Sequence, residues 1–116
     1  MEHLLKEEHK LLRDAVRSFA ESTIKPIAAE LEDNEAFSED LTRQMGEMGL
    51  FGIYVPEEYG GHGMDTLSYV IAMEELARVD GSQASTACAH NSLGCGPLAY
   101  FGTKEQKEKY LPNLCT

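Results

Sequence analysis

The sequence has no tryptophan, only four prolines and three cysteines in 116 residues, and no apolar stretch near the ~20 residues that cross a bilayer. Cys88, Cys95 and Cys115 are an odd number without a Cys-x-x-Cys pair. That pattern supports neither a disulfide framework nor a zinc knuckle, and it suits a reducing, cytoplasmic setting. Cationic charge is scarce: 10 Lys and Arg stand against 20 Asp and Glu, a net charge of −10. Such a chain repels a phosphate backbone, so nucleic acid is excluded as a partner. The acidic start Met1-Glu2-His3 lacks the basic region of a signal peptide. The expectation is a protein neither exported by that route nor spanning a membrane.

What is present is ordinary globular material. A chain of this length, 42% hydrophobic and 26% charged, suits one domain that buries about two-thirds of its unfolded surface. Charge is uneven: residues 1–58 hold 14 acids and 6 bases, residues 59–116 hold 6 and 4, giving −8 and −2.

Helix starts and stops punctuate the whole length. Leu4, Leu5, Leu11, Leu12, Ala15, Val16 and Phe19 fall at helical spacing and predict a helix over about 2–22. Pro26 suits the first turn of a second helix, with Ile27, Ala28 and Leu31 buried and an end at Asp33-Asn34. Ser38 is the expected N-cap of a third, whose Leu41, Met45 and Met48 face inward and whose stop is Gly49. Leu50–Pro56 is apolar and short, and predicts a buried extended stretch leading into the loop Glu57–Gly63. Asp65 or Thr66 caps the next helix, with Val70, Met73, Leu76 and Ala77 inward and Glu74-Glu75 on its polar side. Asp80-Gly81-Ser82 closes it and opens a helix over 83–93. Pro97 starts a short helix that ends at Gly102, Thr103 to Gln106 forms a capping box, and Pro112 stops the last helix, which carries Lys104–Glu108 and Glu105–Lys109 pairs. The sum is an all-α bundle of five to six helices over one domain, 1–116.

Chemistry is thin by comparison. Gly60-Gly61-His62-Gly63 lacks the spacing of a phosphate loop and reads as a turn. Cys88 and Cys95, about 10 Å apart along a helix, read as buried spectator thiols, and His90 has no carboxylate near it in sequence with which to hold a metal. No acid–base constellation stands out. The odd feature is the stretch from Gly81 to Tyr100, which carries no formal charge and is rich in small residues. A helix uncharged all round is expected to be buried all round, either by tight helix packing or by an apolar ligand.

Longer runs carry a resemblance. Leu50-Phe51-Gly52-Ile53-Tyr54-Val55-Pro56-Glu57-Glu58-Tyr59-Gly60-Gly61-His62-Gly63, then Met73-Glu74-Glu75-Leu76-Ala77-Arg78-Val79-Asp80, then His90-Asn91-Ser92-Leu93-Gly94 and Phe101-Gly102-Thr103-Lys104-Glu105-Gln106-Lys107, resemble the amino-terminal helical domain of the acyl-CoA dehydrogenase family. The resemblance spans essentially all 116 residues. It implies a fragment of an FAD-dependent enzyme that oxidises acyl-CoA thioesters to trans-2-enoyl-CoA. The β-rich middle domain and the carboxy-terminal bundle, which hold the glutamate base and most flavin contacts, would lie outside it. It further implies an acyl-CoA substrate, an electron-transfer flavoprotein as partner, and a homo-tetramer for the full-length enzyme. By the same resemblance this chain holds no catalytic, cofactor-binding or metal residue and is inactive alone. It supplies one wall of the acyl pocket from Thr86, Ala89, His90 and Leu93, which fall at i, i+3, i+4 and i+7. An acyl-CoA oxidase or related flavoenzyme domain, and a non-catalytic helical interaction module, are the alternatives.

Overall fold

Proline sets the geometry of the two longest elements. The computed structural model describes residues 2–116; Met1, part of the acidic start, lies outside the described residues. Helix α1 (Glu7–Phe19) runs without a break through a π-helical segment, π1 (Ala20–Ile24), into α2 (Lys25–Asp33). The second rod repeats this plan: α5 (Gly81–Ala89), π2 (His90–Cys95) and α6 (Gly96–Phe101). Within each π segment an amide reaches back five residues, Lys25 to the Ala20 carbonyl and Gly96 to the Asn91 carbonyl. Pro26 and Pro97 follow directly. A proline has no N–H and its ring meets the carbonyl of residue i−4; the wider π turn absorbs both problems. So Pro26 and Pro97 do not open new helices, as the sequence alone suggests, but sit inside continuous ones.

Three further helices complete five rods: α3 (Glu39–Glu47), α4 (Thr66–Val79) and α7 (Lys104–Leu114), and no strand is found among the described residues. The caps read from the sequence are in place. Ser38 Oγ accepts the Leu41 amide at 3.1 Å, Asp65 caps α4, and Thr103 and Gln106 form their reciprocal box. Gly49 ends α3 at φ 80, with the Leu50 amide closing on the Met45 carbonyl at 3.0 Å. Lys104–Glu108 pairs at 3.9 Å. Pro112 does not stop α7, which runs on to Leu114, because in the last turn only one amide is missing.

α4 packs between α1 and α5, and the main core joins Val16, Ala20 and Ile24 of the first rod to Leu41, Met45, Leu50, Ile53, Leu76 and Ala87. A second cluster of Val55, Cys95, Leu111 and Cys115 seats α7. The whole is a plate of 43 × 37 × 18 Å with a radius of gyration of 14.4 Å, against about 13 Å for a rounder domain of this length. At that thickness a helix buried on one side remains open on the other.

The flatness explains several departures from expectation. The first helix starts at Glu7, after a separate turn at Glu2–Leu4, and Leu4, Leu11 and Ala15 face outward. Leu50–Val55 is buried as expected, with Tyr54 half-buried and Pro56 exposed, but it folds as consecutive turns. In α4 the buried stripe is Ser68, Ile71, Ala72, Glu75 and Leu76, whereas Val70 and Ala77 are exposed. Ser68 can go inside because its hydroxyl donates to Asp65 at 2.7 Å. Glu75, expected on the polar side, is buried because Arg17 and Arg78 reach it at 2.9 and 3.4 Å from the plate's rim.

Candidate functional site

The second rod is the one with an unusual open side. Gln83, Ala84, Ala87, Asn91 and Cys95 are buried in the plate, while Ser85, Cys88, Ala89, Ser92 and Leu93 face out. The uncharged helix is therefore half-buried, not buried all round, and Cys88 is exposed; Cys95 is the buried thiol. The open side is a shallow wall of small side chains ending in Leu93, which is 75% exposed, with Tyr100 and Phe101 beyond it on α6.

Asn91 holds this wall to the rest of the plate. It is wholly buried; its amide nitrogen donates to the Leu50 and Ala87 carbonyls at 2.6 and 2.9 Å, and its oxygen accepts the Ile53 amide at 3.1 Å. All three amide atoms are thus used, and the 50–53 turns are fastened to the start of π2.

Two tyrosines frame the wall. Tyr54 donates to the Asn91 carbonyl at 2.6 Å, and Tyr69 reaches the Cys88 carbonyl and sulfur at 3.2 and 3.0 Å. Their rings meet edge to face at 5.5 Å, and Tyr100 stacks on Tyr54 at 6.0 Å. Burial pushes the Tyr54 phenol up, and burial followed by the Cys88 hydrogen bond pushes Tyr69 up to about 12. Both therefore stay neutral donors at ordinary pH. The carbonyls they satisfy lie where the π turn shifts the backbone pairing, and Ser92 Oγ is a second side-chain donor to the Cys88 carbonyl, at 2.7 Å.

The four residues named from the sequence do not share one face. Ala89 and Leu93 lie on the open wall and Thr86 is half-buried at its edge. His90 turns the other way: its Nε2 meets the Leu114 carbonyl at 2.5 Å and its ring lies 4.7 Å from Phe51. The π turn accounts for part of the difference, since spacing drawn on a regular helix loses phase across His90–Cys95. Sequence reading missed Ser85, Ser92 and the tyrosines, which reach the wall from elements distant in the chain.

A second polar cluster joins the starts of α1 and α4. Atoms of Glu8, His9 and Asp65 fall within 4.8 Å of one another. His9 Nδ1 accepts the Lys6 amide at 3.0 Å, so Nε2 carries the proton and donates it to Asp65 at 2.9 to 3.0 Å. A metal at Nε2 would need that nitrogen's lone pair, which this tautomer does not offer. The cluster is a brace between the starts of α1 and α4. Hydrogen bonds from Ser68, with His9 adding to them, hold the Asp65 carboxyl at about 2.

Comparison with known proteins adds the following. Residues 6–116 match the family described as acyl-CoA dehydrogenase, N-terminal domain. The chain is 46% identical over 114 residues to the short-chain specific acyl-CoA dehydrogenase of Clostridium acetobutylicum, covering 98% of this chain and 30% of that protein. Butyryl-CoA dehydrogenase from Megasphaera elsdenii superposes with a TM-score of 0.91 at 34% identity, over 96% of this chain and 30% of the other. A chain from the solved structure described as the electron transferring flavoprotein of Acidaminococcus fermentans gives 0.92 at 41% identity, over 96% and 29%. The chain spans about 30% of the length of the curated relatives it matches.

Proposed function

Because the chain belongs to the acyl-CoA dehydrogenase amino-terminal domain family, we propose that it forms one wall of the acyl-chain pocket in an FAD-dependent enzyme that oxidises acyl-CoA thioesters to their trans-2-enoyl forms. The observation that carries this reading is the open, uncharged, small-residue face of the second rod, with Ala89 on it, Leu93 at its end and Thr86 at its edge. A flat apolar wall without formal charge suits a methylene chain, which gains about 0.8 kcal/mol for each buried CH₂. His90 serves the wall from behind, through its hold on Leu114.

The flavin dinucleotide is assigned mainly to the parts of the enzyme outside this chain. From Gly81 to Tyr100 there is no cation to meet a diphosphate, and the wall is one-sided. In this proposal the middle β domain and carboxy-terminal bundle, outside the present chain, hold FAD and the catalytic base, and no step of the reaction falls to these residues. The full-length enzyme is read as a homo-tetramer passing electrons to an electron-transfer flavoprotein; three unpaired thiols support a reducing, cytoplasmic setting.

The test uses the full-length enzyme. Its flavin absorbance should bleach on adding acyl-CoA thioesters of graded length. Ala89→Val should fill the space of about two methylenes, cutting kcat/KM roughly tenfold for the longest thioester accepted while sparing the shortest. A full-length protein without flavin would instead favour a non-catalytic helical module; equal losses at every chain length would remove Ala89 from the wall.

A further inference from the structure

Apart from the acyl wall, two thiols meet in the second core cluster. Cys95 closes π2 and Cys115 follows α7, and both are buried beside Val55 and Leu111. They sit on one peptide unit: the Cys95 sulfur donates to the Phe51 carbonyl at 3.3 Å, and a Cβ added to Gly52 would fall 2.7 Å from the Cys115 sulfur. Each thiol lies within hydrogen-bonding reach of the other, and burial raises both, Cys95 to about 12. Thiols held this way are slow nucleophiles.

The two differ in what can reach them. Cys95 is wholly enclosed. Cys115, 3% exposed, lines a cleft of about 350 Å³ between α3, the loop at Gly60 and His62, and the end of α7. Arg43 and Glu47 in that lining neutralise each other as an ion pair, and His62 adds a polar ring. The cleft therefore selects no ion, and a small neutral molecule has a path to the Cys115 sulfur, with Cys95 directly behind it.

We propose that Cys115 and Cys95 form a hydroperoxide-reactive dithiol, in which Cys115 takes the oxidant from the cleft and Cys95 resolves it from behind. The Cys115 sulfur, as thiolate, attacks the hydroperoxide, the O–O bond breaks, and the leaving oxygen takes a proton; Cys115 is then a sulfenic acid. The Cys95 sulfur displaces its hydroxyl, the S–S bond forms, and water leaves with the Cys95 proton. The thiols together lose two electrons and two protons, and the hydroperoxide is reduced to an alcohol and water, or to two waters where it is hydrogen peroxide. The product joins the end of π2 to the end of α7 by a covalent bond. Cys88, exposed on the wall and bonded by Tyr69, is the internal comparison.

The test exposes the full-length enzyme to graded hydrogen peroxide, alkylates the remaining thiols after unfolding, and assigns each cysteine by tandem mass spectrometry. Cys95 and Cys115 should lose their free thiols in equal measure and appear in one linked peptide pair that dithiothreitol separates. Cys95→Ala removes the resolving thiol, so dimedone should then capture Cys115 as its sulfenic acid, severalfold more than in the parent. Cys115→Ser, which keeps the side chain's shape, should leave Cys95 reduced at the same dose. Cys88→Ser should leave the cross-link unchanged. Circular dichroism checks the fold of each variant, and the cross-link in the parent needs no variant. Three results would overturn the proposal and leave the pair as packing side chains: Cys115 still reduced at a dose that oxidises Cys88, Cys115 linked to any other cysteine, or Cys95 oxidised as readily in Cys115→Ser as in the parent.

Discussion

Replacing Asn91 by leucine removes three hydrogen bonds while keeping the number of side-chain heavy atoms. Of the groups released, the Ala87 carbonyl keeps the His90 amide. The Ile53 amide and Leu50 carbonyl belong to residues 1% exposed and lose the side chain that serves them. Two buried main-chain groups left unpaired cost about 1–3 kcal/mol each, so the expected destabilisation is about 4 kcal/mol. For a domain of this size that corresponds to a fall of about 15 °C in Tm. Chemical and thermal unfolding of the chain measure it directly. Asn91→Asp sharpens the test. An ionised carboxylate still accepts the Ile53 amide but faces the Leu50 and Ala87 carbonyls without a proton to give. Its pKa is therefore raised in the folded state, and its stability deficit relative to the parent should shrink as pH falls and the carboxyl regains a donor. A loss under about 1 kcal/mol for Asn91→Leu would refute the reasoning, for it would mean that the 50–53 turns recruit water and do not depend on the second rod.

Other perturbations test the frame around the site. Asp65 is held at about 2 in the folded protein, against about 3.9 unfolded, so its contribution is complete above the higher value and is lost as pH falls between the two; the stability difference between parent and Asp65→Asn, from urea unfolding, should shrink across that window. Glu35 sits at φ 49, just after α2, where glycine is unstrained, so Glu35→Gly should stabilise by about 0.5–1 kcal/mol in the same assay. A Cβ on Gly61 would fall 2.1 Å from the Val55 carbonyl oxygen; since backbone cannot step aside, Gly61→Ala should destabilise by about 3 kcal/mol. No change in unfolding midpoint for Gly61→Ala would show the 56–63 loop to be free to move.

Local signals were legible where one residue type does one job. Ser38, Gly49, Asp65 and the Thr103–Gln106 box mark helix ends by short-range bonding, and each stands where the sequence places it. Buried faces were harder to read, because burial depends on partners elsewhere in the chain. In α4 the true stripe has perfect helical spacing, but Ser68 and Glu75 break its apolar pattern; only Asp65, Arg17 and Arg78 make their burial tolerable. The acyl wall was partly visible, as a run without charge. Its framing by Tyr54 and Tyr69 was not, since neither lies near the wall in sequence and each reaches a backbone carbonyl, which carries no sequence signal.

The two π segments turn chain length into rotation. A π turn accommodates one residue more than the regular helix would, and that residue displaces everything after it by about 100° around the axis. The direction in which Tyr100 and Phe101 point thus depends on the number of residues between Ala89 and Gly96, and the stacking of Tyr100 on Tyr54 holds that setting. Deleting one residue there would restore an unbroken helix and swing this aromatic tip away from the side where Phe101 is now 87% exposed. A single codon gained or lost acts here as a dial on which surface the rod presents, with no side chain at that surface exchanged.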